Sequence, residues 1–222
     1  MTTKITGDGG FLGISSMNGG QLAGFRNILI NGAVTINQRG LTYNQAANNA
    51  YWADRWQKRT GNQMRQKVEE VNYIPNTVYT LSGNGVTTRQ VTSPSSGVWN
   101  TPLVGRNANM IQLEIGDTAS EFEYRNYGIE ELMCYRYYQV GTGGQGLYNS
   151  GGGNVTYDSQ YNFFVRMRTA PSITRTVSNS TNINSGTAIV KNISSGSCIL
   201  QFQAAATGSC EVTSTLTLNS EI

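Results

Sequence analysis

Carboxylates are the residues of this chain whose type and spacing could do chemistry. Glu130 and Glu131 are adjacent, and Glu114, Asp117, Glu121 and Glu123 crowd one short stretch. Glycoside hydrolysis needs two carboxyl groups flanking one bond. Neighbours on a helix point about 100° apart, so Glu130 and Glu131 cannot share a scissile bond. They read instead as negative charge at a helix N-terminus, worth about 0.3–1 kcal/mol per group. A glycosidase could be drawn from the 114–123 carboxylates, but nothing specifies which pair would act. Histidine is absent, which removes Ser-His-Asp and Cys-His arrangements and most catalytic zinc sites. Calcium loops of the DxDxDG kind and the phosphate-cradling GxxxxGK[ST] are missing as well. The expectation is a protein that is not an enzyme, with no catalytic residues, no metal and no cofactor.

A second chemistry is sugar binding, in which aromatic faces meet C–H groups and amides or carboxylates take hydroxyls. Tyr148, Asn149, Tyr157, Asp158 and Tyr161 are the candidates for a carbohydrate or receptor surface. Core or interface packing is the competing reading for each tyrosine. The stretch "YRNYGIEELMCYRYY" at residues 124–138 offers Arg125, Tyr127, Glu131, Arg136, Tyr137 and Tyr138 as a packed structural joint. There Arg125 and Arg136 would pair with Glu123, Glu130 or Glu131, and the tyrosines would cover a sheet.

The elements that must position these groups are mostly strands. The chain has 222 residues, 38% apolar and 13% charged, with 26 glycines, a mixture that favours short strands and turns over helices. "NILINGAVTINQRG" predicts a strand pair or kinked strand around Asn31-Gly32, a dipeptide suited to positive φ. Trp52 and Trp56 fit one helix face or a strand and turn equally well. In "NMIQLEIGD", Ile111, Leu113 and Ile115 alternate with Gln112 and Glu114, so the two sets face opposite sides of a strand. One short helix is expected over residues 129–139, entered at Gly128, left at Gly141, and packing a stripe of Ile129, Leu132, Met133 and Arg136 on a sheet. "TGGQGLYNSGGGN" reads as a flexible connector or long loop. After it, Cys198, Leu200 and Phe202 share one strand face, and Cys210, Val212, Leu216 and Leu218 share another. A small β-sandwich would bury both faces, with reduced cysteines as core residues.

Net charge is +3 with scattered basic residues, so no nucleic-acid arm is expected. The polar start and the lack of an apolar run of about 18 residues predict neither a secretory signal nor membrane insertion. Residues 1–24 hold seven glycines and isolated apolar residues, so order there would need partner surface.

"NILINGAVTINQRG" at 27–40, "YWADRW" at 51–56 and "IQLEIGDTASEFEYRNYGIEELMCYRYY" at 111–138 together resemble tail-fibre-like virion proteins of bacteriophages and prophages, whose body is like a carbohydrate-binding jelly-roll. Members carry a full jelly-roll between the second and third of these motifs; here residues 57–110 hold an abbreviated one. The resemblance implies a mainly β protein of antiparallel jelly-roll or sandwich-like domains with one short helix near 129–139. It divides the chain into a virion attachment segment at 1–26, an abbreviated body at 27–140, and a C-terminal β-sandwich tip at 141–222. It further implies a virion structural protein, made in the host cytoplasm and incorporated into the virion as a homotrimer. Other virion proteins would be met through the N-terminal segment and host surface glycan through the tip. The alternative is a capsid decoration protein or tail adaptor with no receptor role.

Overall fold

The computed structural model describes residues 25–222, so the expected attachment segment lies, except for residues 25 and 26, outside the described residues. In chain order the strands are β1 (Tyr51–Ala53), β2 (Trp56–Arg59), β3 (Gln63–Arg65), β4 (Lys67–Val68), β5 (Val78–Asn84), β6 (Arg89–Thr92), β7 (Trp99–Asn100), β8 (Val104–Gly105) and β9 (Asn109–Ile115). Helix α1 (Tyr127–Tyr135) follows, then β10 (Tyr138–Asn149), β11 (Thr156–Asn162), β12 (Ser172–Thr181), β13 (Ile189–Lys191), β14 (Ser197–Gln203) and β15 (Gly208–Asn219). The mainly β expectation holds. No helix among the described residues is long and apolar enough to cross a membrane.

Contacts divide the chain into two compact units, residues 25–33 with 59–124, and residues 34–58 with 125–222. The expected boundary at 140/141 therefore gives way to one at 124/125. Its physical reason is that residues 140 and 141 sit inside β10, paired with Thr217 and Leu216 of β15.

In the first unit, β5 is the centre of the antiparallel sheet β6-β5-β9, with Leu81 opposite Leu113 and Tyr79 opposite Ile115. Tyr73 and Tyr79 meet Trp99 edge-on, at ring distances of 5.5 and 5.2 Å, a geometry that matches positive ring edges to negative faces. Residues 27–32 are not the expected strand pair. They run irregularly along β9, where the Ile28 amide donates to the Leu113 carbonyl at 3.0 Å and the Ile111 amide to the Gly32 carbonyl at 2.8 Å. Between them the Asn27 side chain stands in for a strand partner, accepting from the Leu113 amide and donating to the Ile111 carbonyl, each at 3.0 Å. Asn31 does adopt positive φ, 57°. Gly32 is needed for space instead, because a Cβ there would collide with the Ile111 carbonyl oxygen.

In the second unit, β1 and β2 form a hairpin in which Ala53 faces Trp56, so the tryptophans lie on a strand and turn, not on a helix. Residues 138–222 fold into two three-stranded antiparallel sheets, β10-β15-β12 and β11-β14-β13. Cys198, Leu200, Leu216 and Leu218 pack in one apolar cluster with Phe163 and Met167; Phe202, Cys210 and Val212 pack in a second with Ala204. Both expected strand faces are thus interior, and all three cysteines are free and buried. A polar layer also lies between the sheets. Arg175 donates to Ser214 Oγ at 2.8 Å, Gln145 Oε1 at 2.8 Å, and the Ile189 and Gln201 carbonyls at 2.9 and 3.1 Å.

The expected flexible connector is largely a strand, since residues 141–149 belong to β10. Gly141 and Gly143 serve packing. A Cβ at Gly143 would lie 2.9 Å from Leu200 Cδ1 of the opposite sheet and 3.3 Å from Leu216 Cδ1 of the neighbouring strand β15, so that space is already filled. Helix α1 also differs from expectation. Asn126 caps it by accepting from the Gly128 amide at 2.9 Å, and it stops at Tyr135 because the following residues enter β10. Its expected apolar stripe is not a buried face: Ile129 is 43% and Leu132 52% exposed, and Cys134 alone in the helix is buried.

Candidate functional site

The five residues proposed for sugar contact are not gathered on one surface. β11 alternates, with Thr156, Asp158, Gln160 and Asn162 exposed and Tyr157 and Tyr161 turned toward the interior. Tyr157 packs on Phe202 at a ring distance of 5.7 Å, and Tyr161 joins the cluster around Leu200. Asn149 is fully buried and saturated. Its Oδ1 accepts from the Gly151 amide at 2.9 Å and the Tyr157 hydroxyl at 2.8 Å, while its Nδ2 donates to the Ala206 carbonyl at 2.7 Å and to the Gly152 carbonyl. Two of the five face solvent. Tyr148 is 71% exposed, on the outer face of β10; Asp158 is exposed on the outer face of the other sheet.

Around Asp158 the outer face of β11-β14-β13 is a ladder of amide and hydroxyl groups. Asp158 accepts from Gln201 Nε2 at 2.9 Å and pairs with Lys191 Nζ at 2.7 Å, contacts that hold its carboxyl below the usual range, the Lys191 hydrogen bond foremost. Gln160 donates to Asn162 Oδ1 at 2.9 Å, and Gln203 to Thr156 Oγ1 at 3.3 Å. The outer face of β10-β15-β12 is a ladder of hydroxyls, with Thr142 and Thr176 on either side of Thr215 and Thr174 beside Thr217. Such surfaces suit hydrogen bonding to neutral polar ligands and carry few ionisable groups.

The residues expected at a structural joint separate into two sets. Arg125 pairs with Glu130 at 3.1 Å, both largely buried, as expected. Tyr137 and Tyr138 are buried. By contrast Tyr127 and Arg136 are exposed, Glu131 accepts from the Tyr127 hydroxyl at 3.5 Å, and Arg136 lies 5.9 Å from the Tyr137 ring. Glu123, one expected partner of the arginines, accepts from the Arg26 and Asn27 amides at 3.0 Å each.

The strongest electrostatic feature is one that sequence reasoning missed. Arg39 pairs with Asp54 and Glu221, each at 3.2 Å, and Arg55 pairs with Glu221, all at side-chain exposures of 8% or less. The guanidinium carbons of Arg39 and Arg55 stand 3.7 and 3.6 Å over the rings of Tyr138 and Tyr137. Two cations therefore meet two carboxylates and two aromatic faces in a desolvated cluster, where opposite charges compensate and cation–π contact adds to them. Burial raises the Asp54 carboxyl above its ordinary value despite its bonds to Gln38 and Arg39. For Arg55 burial is the largest influence and acts downward, but Glu221, Tyr137 and Tyr51 together outweigh it and the net direction is up. Tyr51, whose hydroxyl donates to the Ile222 carbonyl at 2.9 Å, is pushed up to about 12, chiefly by burial and then by Glu221. A cavity of about 610 Å³ opens beside the cluster, lined by Arg39, Tyr51, Tyr138, Asn219 and Glu221 among others. Its arginine is neutralised by its own carboxylates, so the arrangement stabilises the fold and presents no uncompensated charge to a ligand. The one available signal was the pairing of "QRG" and "YWADRW" with "RYY", the same motifs that carry the family resemblance.

A comparable buried polar knot underlies the "QLE" motif. Gln112 and Glu114, placed correctly opposite the Ile111 and Leu113 face, are each 1% exposed. Glu114 accepts from the Ser120 amide at 2.8 Å, the Ser120 hydroxyl at 2.6 Å and Gln112 Nε2 at 2.7 Å, and the Glu123 amide donates to Gln112 Oε1 at 2.8 Å. This carboxylate is consumed by structure. Among the described residues no group of three or more His, Cys, Asp or Glu side chains is arranged to hold a metal ion.

No protein-family model and no curated protein matches the chain. Among solved structures it is similar to discoidin II of Dictyostelium discoideum, in a recombinant and a wild-type form, at 13% and 14% identity. The TM-scores are 0.32 and 0.33, over 66% of this chain and 67% and 66% of those chains. Likeness of that degree carries no statement about fold or function.

Proposed function

We propose that the chain is a virion structural subunit of tail-fibre or tail-tip type that contacts host surface glycan through its C-terminal sandwich. The observation that carries the reading is the pair of outer sheet faces described above, built from Thr, Ser, Asn and Gln around exposed Tyr148 and Asp158. Hydroxyl and amide ladders match the hydrogen-bonding groups of neutral sugars, and an exposed tyrosine supplies a face for stacking. The resemblance carried by "QRG", "YWADRW" and the 111–138 stretch supports the virion assignment, and those motifs build the buried clusters that support the sandwich and the body. Weak single sites suit a protein displayed in several copies, where avidity multiplies them.

Purified full-length chain should bind polysaccharide from the envelope of host cells, and Tyr148→Ala or Asp158→Ala should each weaken binding by about two- to tenfold. Absence of binding to host cells and to their polysaccharide, while intact particles bind through another component, would sink the reading. The interior placement of Asn149, Tyr157 and Tyr161 favours a second reading, a capsid decoration or tail adaptor protein with no receptor role.

A further inference from the structure

Among the described residues the free edges of the C-terminal sandwich are β10 and β12 in one sheet and β11 and β13 in the other. An unpaired edge presents a row of backbone donors and acceptors, and proteins ordinarily blunt it with charge, proline, a bulge or an inward-pointing charged side chain. Three of these four edges are blunted. β12 has a register shift between Val177 and Asn179 and sends Arg175 inward; β11 carries Asp158; β13 is three residues long and carries Lys191. β10 has none of these devices. It spans twelve residues in unbroken register with β15, and residues 138–157 contain no charged residue and no proline.

The direction of its free groups follows from the ladder. Ser220 donates its amide to the Tyr137 carbonyl at 2.9 Å, so odd-numbered residues of β10 bond to β15 and even-numbered residues point their amide and carbonyl outward. At the first even position the Tyr138 carbonyl accepts from Gln38 Nε2 at 2.9 Å. Among the described residues no backbone partner faces Val140, Thr142, Gly144, Gly146 or Tyr148 on that side. Side chains at the edge do not obstruct approach: a Cβ built at Gly144 would meet nothing within 4 Å, and its φ is not in the left-handed region. No internal contact or backbone angle therefore calls for glycine there, whereas close approach by another backbone would.

We infer that the β10 edge pairs antiparallel with β10 of a second copy of this chain, about a twofold axis at Gly144. In that register Gly144 faces itself, Thr142 faces Gly146, and Val140 faces the exposed Tyr148, an aromatic opposite a β-branched residue, which is a favourable cross-strand pair. With no charge on the strand, no like charges oppose each other. The contact is isologous, so it closes at two copies and does not propagate. A second copy is favoured over an unrelated strand because the sequence is self-complementary in this register. Tyr148 is shared with the glycan reading, so that reading is tested separately at Asp158 in the other sheet.

Wild-type protein should show even stoichiometry by sedimentation and native mass spectrometry, and the amides of Thr142, Gly144 and Gly146 should be protected from hydrogen exchange. Gly144→Lys and Gly144→Asp should each fold, with unchanged circular dichroism, yet raise the dissociation constant tenfold or more and deprotect those amides. Mixing the two variants should restore a mixed dimer, because residue 144 faces its own copy. A monomer at all concentrations, a trimer indifferent to Gly144→Lys, a dimer indifferent to it, or protection of β10 only when another protein's extended peptide is added would each overturn the inference.

Discussion

Glu221 accepts from two buried guanidinium groups, those of Arg39 and Arg55. Glu221→Ala should destabilise by about 3–5 kcal/mol, because it removes the carboxylate paired with the buried Arg39 and Arg55 guanidinium groups; chemical denaturation reads this, and Glu221→Gln should cost less. Tyr137→Ala, emptying the space beneath the Arg55 guanidinium, should cost about 3–5 kcal/mol. Glu131→Gln, at the exposed end of the same motif, should leave stability and binding unchanged. Tyr51 adds a pH signature. Its folded pKa is raised from 10.0 to about 12, so the folded state holds the phenolic proton more tightly than the unfolded state. The stability this contributes is complete below pH 10 and is lost as pH rises toward 12. Denaturation midpoints measured across that window should fall in the wild type, and Tyr51→Phe should lack this part of the fall.

Strand β10 shows where element-level reading of the sequence stops. β14 and β15 are legible because Cys198, Leu200 and Phe202, and then Cys210, Val212, Leu216 and Leu218, mark every interior position with an apolar side chain. In β10 the interior positions Gly141 and Gly143 have no side chain to mark them, and the alternation is invisible although the strand is one of the two longest. The end of α1 was illegible for a related reason: Tyr137 and Tyr138 continue an apolar pattern but are held by Arg55 and Arg39, which lie far away in sequence. The charged cluster could not be read either, since Glu221 lies 166 and 182 positions from its arginine partners. Of the proposed sugar residues, period-two alternation alone already puts Tyr157 and Tyr161 on the opposite face from Asp158. The packing account of β10 is tested by a contrast in the dissociated monomer: Gly143→Ala should cost about 1–3 kcal/mol through overpacking against Leu200 and Leu216, whereas Gly144→Ala should be neutral or stabilise by about 0.5–1 kcal/mol.

At the scale of the whole molecule, the motifs that carry the virion resemblance are spent on stability. "QLE" and Asn27 knit the first unit, while "QRG", "DRW" and the paired tyrosines knit the second around Glu221. Outside those motifs lie the polar outer faces of the sandwich and the edge of β10, the surfaces proposed to bind glycan and a second copy. The proposed function puts the subunit at the end of a tail, where a sandwich can reach a host glycan. Electron microscopy of purified particles labelled with a binder raised against residues 138–222 tests that placement most directly. The account predicts label at the tail tip or fibre ends; label on the capsid lattice, or its absence from the particle, would contradict it.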